Sequence, residues 1–361
     1  MVHKRTTTDH RSFDAGTPSP KLSIEKAIEF LQGKSITGYD ESLLLGIITE
    51  MKTYCEKFQH LRGKPKISIF GSARTQPDNP DYIMCKEFAH KLVEEFGYDI
   101  ITGAGPGIMQ AGNEGAGVDA AIGLNISLPF EQDANPYLKD ERLITFYYFL
   151  IRKLAFVREA DGIVLCPGGF GTLDEGFEAL TLIQTGRATP VPVVMLEHEG
   201  GTFWGKTLEL MQHLVDQGTV SEQDLDLVYY TTNIDDAIDY INDFYYRYHS
   251  VRYLSGSRAV IRLNREVPDV LIEEIQKEYK DLIVDGIITK HEGALPEEAD
   301  EPDLKDLKRL VFKINHTKPM DLYLLICDLN TKLIEGHAHT AAQAHKNPRP
   351  RRIKVPSPSE L

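Results

Sequence analysis

Between Lys66 and about residue 248 short apolar runs alternate with stretches of helical periodicity, and this alternation constrains the fold more than any other feature of the chain. The runs are KISIFG, YDIITG, AIGLNISL, DGIVLC, PVPVVML and LDLVYY. Between and after them the spacing predicts helices over 80–96, from Pro106, and over 142–159, 172–186, 203–216 and 234–248. Strands that are apolar on both faces and separated by helices belong in a parallel sheet covered on each side. The expected class is α/β, a Rossmann-like doubly wound parallel sheet with helices on both faces. In such sheets ligands gather where the carboxyl ends of the strands meet glycine-rich turns, and here glycine turns follow the first, second and fourth runs.

The flanks read differently. Residues 1–22 are polar and proline-containing and are expected to be disordered. Residues 23–62 are expected to form N-terminal helices. One is capped by Ser23 and ends near Gly33; a second spans about Glu41 to His60, with Leu44, Leu45, Ile48, Met51 and Cys55 at helical spacing. The Rossmann-like domain is placed at 63–250 and a small C-terminal α+β domain at 255–332. In the latter RAVIRL, DGIITK, KRLVFKI and DLYLLIC read as strands, 268–280 as a helix and EGALPEEADEPD as an acidic linker. Residues 335–361 read as a disordered basic tail whose histidines, His337, His339 and His345, fit a solvated segment better than a metal site.

Composition narrows the function classes. Fifty-four acidic against 40 basic residues give a net charge of −14, which disfavours a nucleic acid partner. Cys55, Cys85, Cys166 and Cys327 are widely spaced with no CxxC pairing, so neither a disulfide framework nor a zinc site is expected. No apolar run approaches the roughly 18 residues that span a bilayer, and the N-terminus has no apolar signal core. A cytoplasmic location without membrane partner is the expectation.

Four stretches carry candidate chemistry. ITGAGPGIM places Gly103, Gly105 and Gly107 between a strand and a helix start, a shape suited to an anion, although the spacing departs from the dinucleotide fingerprint. IFGSAR adds a second glycine exit, Gly71, with Ser72 and Arg74 beside it. In PGGFGTLDE, Gly168, Gly169, Gly171 and the Thr172 hydroxyl suit a phosphate nest. Glu175 has two competing readings there: half of a T-x-x-E capping box with Thr172, or a carboxylate one turn inside a phosphate-binding helix. FYYFLIRKLAFVREA puts Arg152 and Lys153 in an otherwise apolar helix, enough cation for one phosphomonoester.

Together these stretches resemble the Lonely Guy (LOG) family of nucleoside 5'-monophosphate phosphoribohydrolases. Pro167, Gly168, Gly169, Gly171, Thr172 and Glu175 match its PGGxGTxxE motif, and Arg152 and Lys153 its arginine-lysine pair. LPFEQDANPYL and EALTLIQTG look more like the broad bacterial branch, often labelled lysine decarboxylase-like, than the plant branch. The similarity covers about residues 60–250.

The resemblance implies hydrolysis of the N-glycosidic bond of a purine nucleoside 5'-monophosphate, AMP or a cytokinin riboside 5'-monophosphate. It makes Glu175 and Arg152 the catalytic pair. Gly71, Ser72, Gly103, Gly105, Gly107, Lys153, Gly168, Gly169, Gly171 and Thr172 become substrate-binding residues, with Glu131 and Thr181 as weaker candidates. Glu178, one turn beyond Glu175 on the same helix face, is a candidate for the acid that protonates the departing base but reads more readily as structural. No cofactor or metal is expected, and no pyridoxal phosphate attachment site is recognisable. The resemblance also implies a homodimer or higher homo-oligomer. The rival classes are a non-catalytic nucleotide-binding module and a protein regulated through its C-terminal appendage.

Overall fold

The structure is a computed structural model that describes residue 26 and residues 37–127 and 133–332. The expectations for the 1–22 tail, for the short helix at 23–33 apart from Lys26, and for the basic tail with its histidines lie outside the described residues.

Seven parallel strands form the main sheet: β1 (Lys66–Phe70), β2 (Asp99–Thr102), β3 (Ala121–Ile126), β4 (Leu143–Phe146), β5 (Gly162–Leu165), β6 (Val193–Leu196) and β7 (Val228–Thr231). Their order is β4-β3-β2-β1-β5-β6-β7, so the winding reverses between β1 and β5. Ser68 of β1 is in register with Ile101 of β2 on one side and Ile163 of β5 on the other. The three glycine exits therefore leave three adjacent strands, β2, β1 and β5, around the switch point where open α/β sheets bind ligands.

The helices are α1 (Gly38–Gln59), α2 (Pro80–Phe96), α3 (Ile108–Ala116), α4 (Phe149–Glu159), α5 (Phe170–Gln184), α6 (Phe203–Asp216) and α7 (Ile234–Asp243). Ile163, Leu165 and Met195 face one side of the sheet and pack with Phe156 of α4, Ala179 of α5 and Trp204 of α6. Val164, Val194 and Leu196 face the other, with Phe88 of α2, Ile108 of α3 and Ile241 of α7. Alternate residues of one strand feeding two cores is the α/β architecture expected from runs apolar on both faces.

A second sheet is antiparallel, in the order β10-β11-β9-β8, from β8 (Tyr248–Leu254), β9 (Arg258–Leu263), β10 (Thr289–Glu292) and β11 (Lys308–Lys313). It is accompanied by α8 (Asp269–Glu278) and α9 (Pro319–Thr331). α9 touches α5 as well as α8 and β8, and its Tyr323, Leu325 and Ile326 join the core on the α5 side of the main sheet.

Several expectations are corrected. LITF, read as the start of a helix over 142–159, is the edge strand β4, and the helix starts at Phe149. The helix from 234 stops at Asp243 and its expected end becomes β8. DLYLLIC is helical: a helix buried on nearly every side shows no periodicity and mimics a strand. α1 turns Ile47, Met51, Tyr54, Cys55 and Phe58 inward, leaving Leu45 and Ile48 exposed. The expected acidic linker is folded, because Glu298 and Glu301 are buried against arginines of the second sheet. Glu298 accepts from Arg262 Nε at 2.7 Å and Arg309 Nε at 3.1 Å, while Glu301 pairs with Arg262 and Arg252.

Candidate functional site

Ser72 holds the glycine exits together. Its backbone N–H donates to the Pro167 carbonyl at 3.0 Å, its own carbonyl accepts from Ile108 N–H at 3.0 Å, and its hydroxyl accepts from Arg74 N–H at 3.1 Å. The turn after β1 is thereby stitched to the turn after β5 and to the start of α3. Gly168 is required by this closeness: a β-carbon there would run into the Thr172 side chain and the Ser72 nitrogen.

Above this junction opens a cavity of about 770 Å³. Of the residues expected at a site it is lined by Gly71, Ser72, Gly103, Arg152, Gly168, Gly169, Gly171, Thr172 and Glu175. Gly105, Gly107, Lys153 and Thr181 are not in its lining. Gly105 lies in a turn held by Asn135, whose side chain donates to the Ala104 and Gly105 carbonyls at 3.1 Å each. Gly107, with φ of 66°, is the residue before α3, and the first amide of that helix is taken by Ser72. Thr181 is exposed two turns along α5 from the cavity. Glu131 lies outside the described residues. The lining also includes Phe70, Met109, Phe149, Phe156, Phe170, Asp174 and Arg74. Phe170 was legible as the variable residue of PGGxG, whereas nothing in sequence spacing brings Met109 or Phe149 here.

The capping-box reading of Thr172 and Glu175 does not hold. α5 begins at Phe170 with Gly169 before it, no side chain caps its first turn, and Thr172 lies inside the helix. The first amides are left for an external acceptor, which is how helix starts receive anions. Glu175 is 8% exposed and carries no capping bond. Burial raises its carboxyl from the ordinary 4.5 to about 7; Lys153 and Arg152 oppose the rise, and Glu178 and Asp174 add to it.

Arg152 approaches from α4. Its Nε donates to the Leu124 carbonyl at 2.7 Å and its guanidinium lies 5.1 Å from the centre of the Phe156 ring. Burial draws its proton affinity down and the charge of Glu175 pulls it back up. Lys153, next on the same helix, reaches α5 instead: its Nζ is 2.8 Å from Asp174, 2.9 Å from Glu178 and 3.7 Å from Glu175. Burial alone would weaken its hold on the proton, but these carboxylates raise it. Glu178 is therefore engaged with Lys153 and does not line the cavity.

Residues 104–241 match the family model described as possible lysine decarboxylase. Two curated relatives, both from Arabidopsis thaliana, align over 70 residues, 19% of this chain. The cytokinin riboside 5'-monophosphate phosphoribohydrolase LOG2 is 39% identical over 32% of its length, and LOG7 is 36% identical over 31%. The chain thus spans about a third of the length of these relatives. Among solved structures, the molybdenum cofactor binding protein from Rippkaea orientalis aligns over 50% of this chain and 96% of its own, at 20% identity and a TM-score of 0.36. With its parallel sheet and its PGGFGTLDE turn at the switch point, the chain is similar over residues 104–241 to the family described as possible lysine decarboxylase, and over 70 residues to these two Lonely Guy phosphoribohydrolases.

Proposed function

We propose that this protein hydrolyses the N-glycosidic bond of a purine nucleoside 5'-monophosphate, releasing the free base and ribose 5-phosphate. The observation that carries the reading is the placement of Glu175 and Arg152 in one cavity with the uncapped start of α5. A phosphate seated on the Gly169–Thr172 amides leaves its ribose within the same pocket, one helical turn from the Glu175 carboxylate.

In that pose the chemistry follows from charge. As the bond from C1' to the base nitrogen breaks, its electron pair leaves with the base and positive charge builds on the ribose. The Glu175 carboxylate faces that charge and accepts a proton from the water whose oxygen bonds to C1', the departing base takes a proton from solvent, and Glu175 returns its proton to solvent afterwards. Arg152, fixed by Leu124 and Phe156, orients the substrate and balances the carboxylate. Phe149, Phe170 and Met109 offer apolar surface to the base.

The test is incubation of the purified chain with a panel of purine and pyrimidine nucleoside 5'-monophosphates, with base release followed by chromatography and the unphosphorylated nucleosides as controls. Release from purine monophosphates but not from nucleosides is expected. Tight nucleotide binding with no base released would replace this reading by that of a binding module. The exposed apolar side chains Tyr147, Leu150 and Phe170, 73%, 67% and 93% exposed, favour a homo-oligomer, which sedimentation of the full chain would reveal.

A further inference from the structure

Two adjacent cations of α4 have different surroundings: Arg152 lines the cavity and Lys153 does not. Lys153 instead meets three carboxylates presented by α5, namely Asp174, Glu175 and Glu178. Its shortest contacts, 2.8 and 2.9 Å, are to Asp174 and Glu178, which straddle Glu175 in sequence and tether the ammonium from both sides. The side chain is only 19% exposed, so this attraction is weakly screened by solvent.

We propose that Lys153 is a positioning residue for the candidate reaction: anchored by Asp174 and Glu178, it holds the Glu175 carboxylate toward the cavity and favours its ionised form. The charged groups facing Glu175 are Arg152 and Lys153 from α4 and Asp174 and Glu178 from α5. Removing Lys153 leaves three clustered carboxylates facing Arg152 alone, which favours the protonated form of Glu175. Removing the Glu178 charge does the opposite, because one repulsion disappears and Lys153 loses a competitor. Arginine in place of Lys153 preserves the sign of the charge and its reach.

This inference rests on the proposed role of Glu175, yet its test can be read without turnover. In the full chain labelled with 13C at the glutamate carboxyls, the Glu175 resonance is titrated in wild type, K153Q, K153R and E178Q, alongside pH profiles of kcat/KM. The midpoint is expected to move up by about one pH unit or more in K153Q, to return toward wild type in K153R, and to move down in E178Q. The acid limb of activity should follow, a roughly tenfold loss for K153Q below the wild-type midpoint. An unmoved Glu175 midpoint in K153Q, with a raised KM for the monophosphate, would make Lys153 a substrate ligand and overturn the proposal. If K153Q does not fold, K153M, which keeps the length of the side chain without its charge, decides: an upward shift of the Glu175 midpoint supports the positioning role and an unchanged midpoint refutes it. Carboxyl shifts without any base release would sink the hydrolase reading alone.

Discussion

The guanidinium of Arg152 rests against Gly103, with Nη2 2.5 Å from the point a β-carbon on residue 103 would occupy. The glycine after β2 is therefore the floor on which the cavity arginine lies. Gly103→Ala is expected to keep the fold, since the atoms it meets, Arg152 Nη2 and Met109 Sδ, end flexible side chains. It should displace Arg152 and lower kcat/KM for nucleoside monophosphate hydrolysis between about ten- and a hundredfold. Circular dichroism beside the base-release assay checks both parts.

Glu175→Gln should separate activity from stability. Because the folded carboxyl is raised from 4.5 to about 7, the native state holds that proton more tightly than the unfolded chain. The associated stability is fully present below about pH 4.5 and is lost as pH rises through about 7. The glutamine variant mimics the protonated group. It should match wild type in acid and exceed it by up to about 3 kcal/mol near pH 9, while base release disappears. Urea unfolding at several pH values measures the difference; equal stability throughout would mean Glu175 is not held under strain.

Arg74 lines the cavity that the α5 start also lines, and among the described residues it has no ion-pair partner. It is thus suited to meet a phosphate entering from solvent. Arg74→Ala is expected to raise KM for a monophosphate by about tenfold, the scale of one hydrogen bond to a charged group, with kcat little changed. Inhibition by ribose 5-phosphate should weaken in parallel, and equal KM values would remove Arg74 from the site.

In the second sheet Glu298 is 1% exposed between Arg262 and Arg309. Glu298→Ala leaves the buried Arg309 without its carboxylate and Arg262 with Glu301 alone, and should cost about 3–5 kcal/mol. A loss below about 1 kcal/mol in urea unfolding would show that water or Glu301 compensates.

What the sequence disclosed depended on how local the cause was. The glycine exits at Gly71, Gly103 and Gly168 were legible because close backbone approach demands glycine, and the sheet brought them to one switch point. The neighbours of Lys153 were not, since Asp174 and Glu178 reach it from another helix. Thr172 and Glu175 imitated a cap because the T-x-x-E pattern ignores where the helix starts, which is Phe170. The PEEADE stretch passed for a linker because the arginines that bury its glutamates come from β9 and β11. DLYLLIC failed as a strand for a related reason: α9 is enclosed by partners that only tertiary packing supplies.

That enclosure has a temporal side. Pro319 stands close to Gly186, just past the end of α5, so the back of the helix carrying Glu175 is covered by some of the last residues the structure describes. During synthesis, PGGFGTLDE emerges long before the segment that buries its helix. Until residue 331 has left the ribosome, α5 lacks its cover, and completion of the pocket waits on a contact distant in sequence, the kind that slows folding.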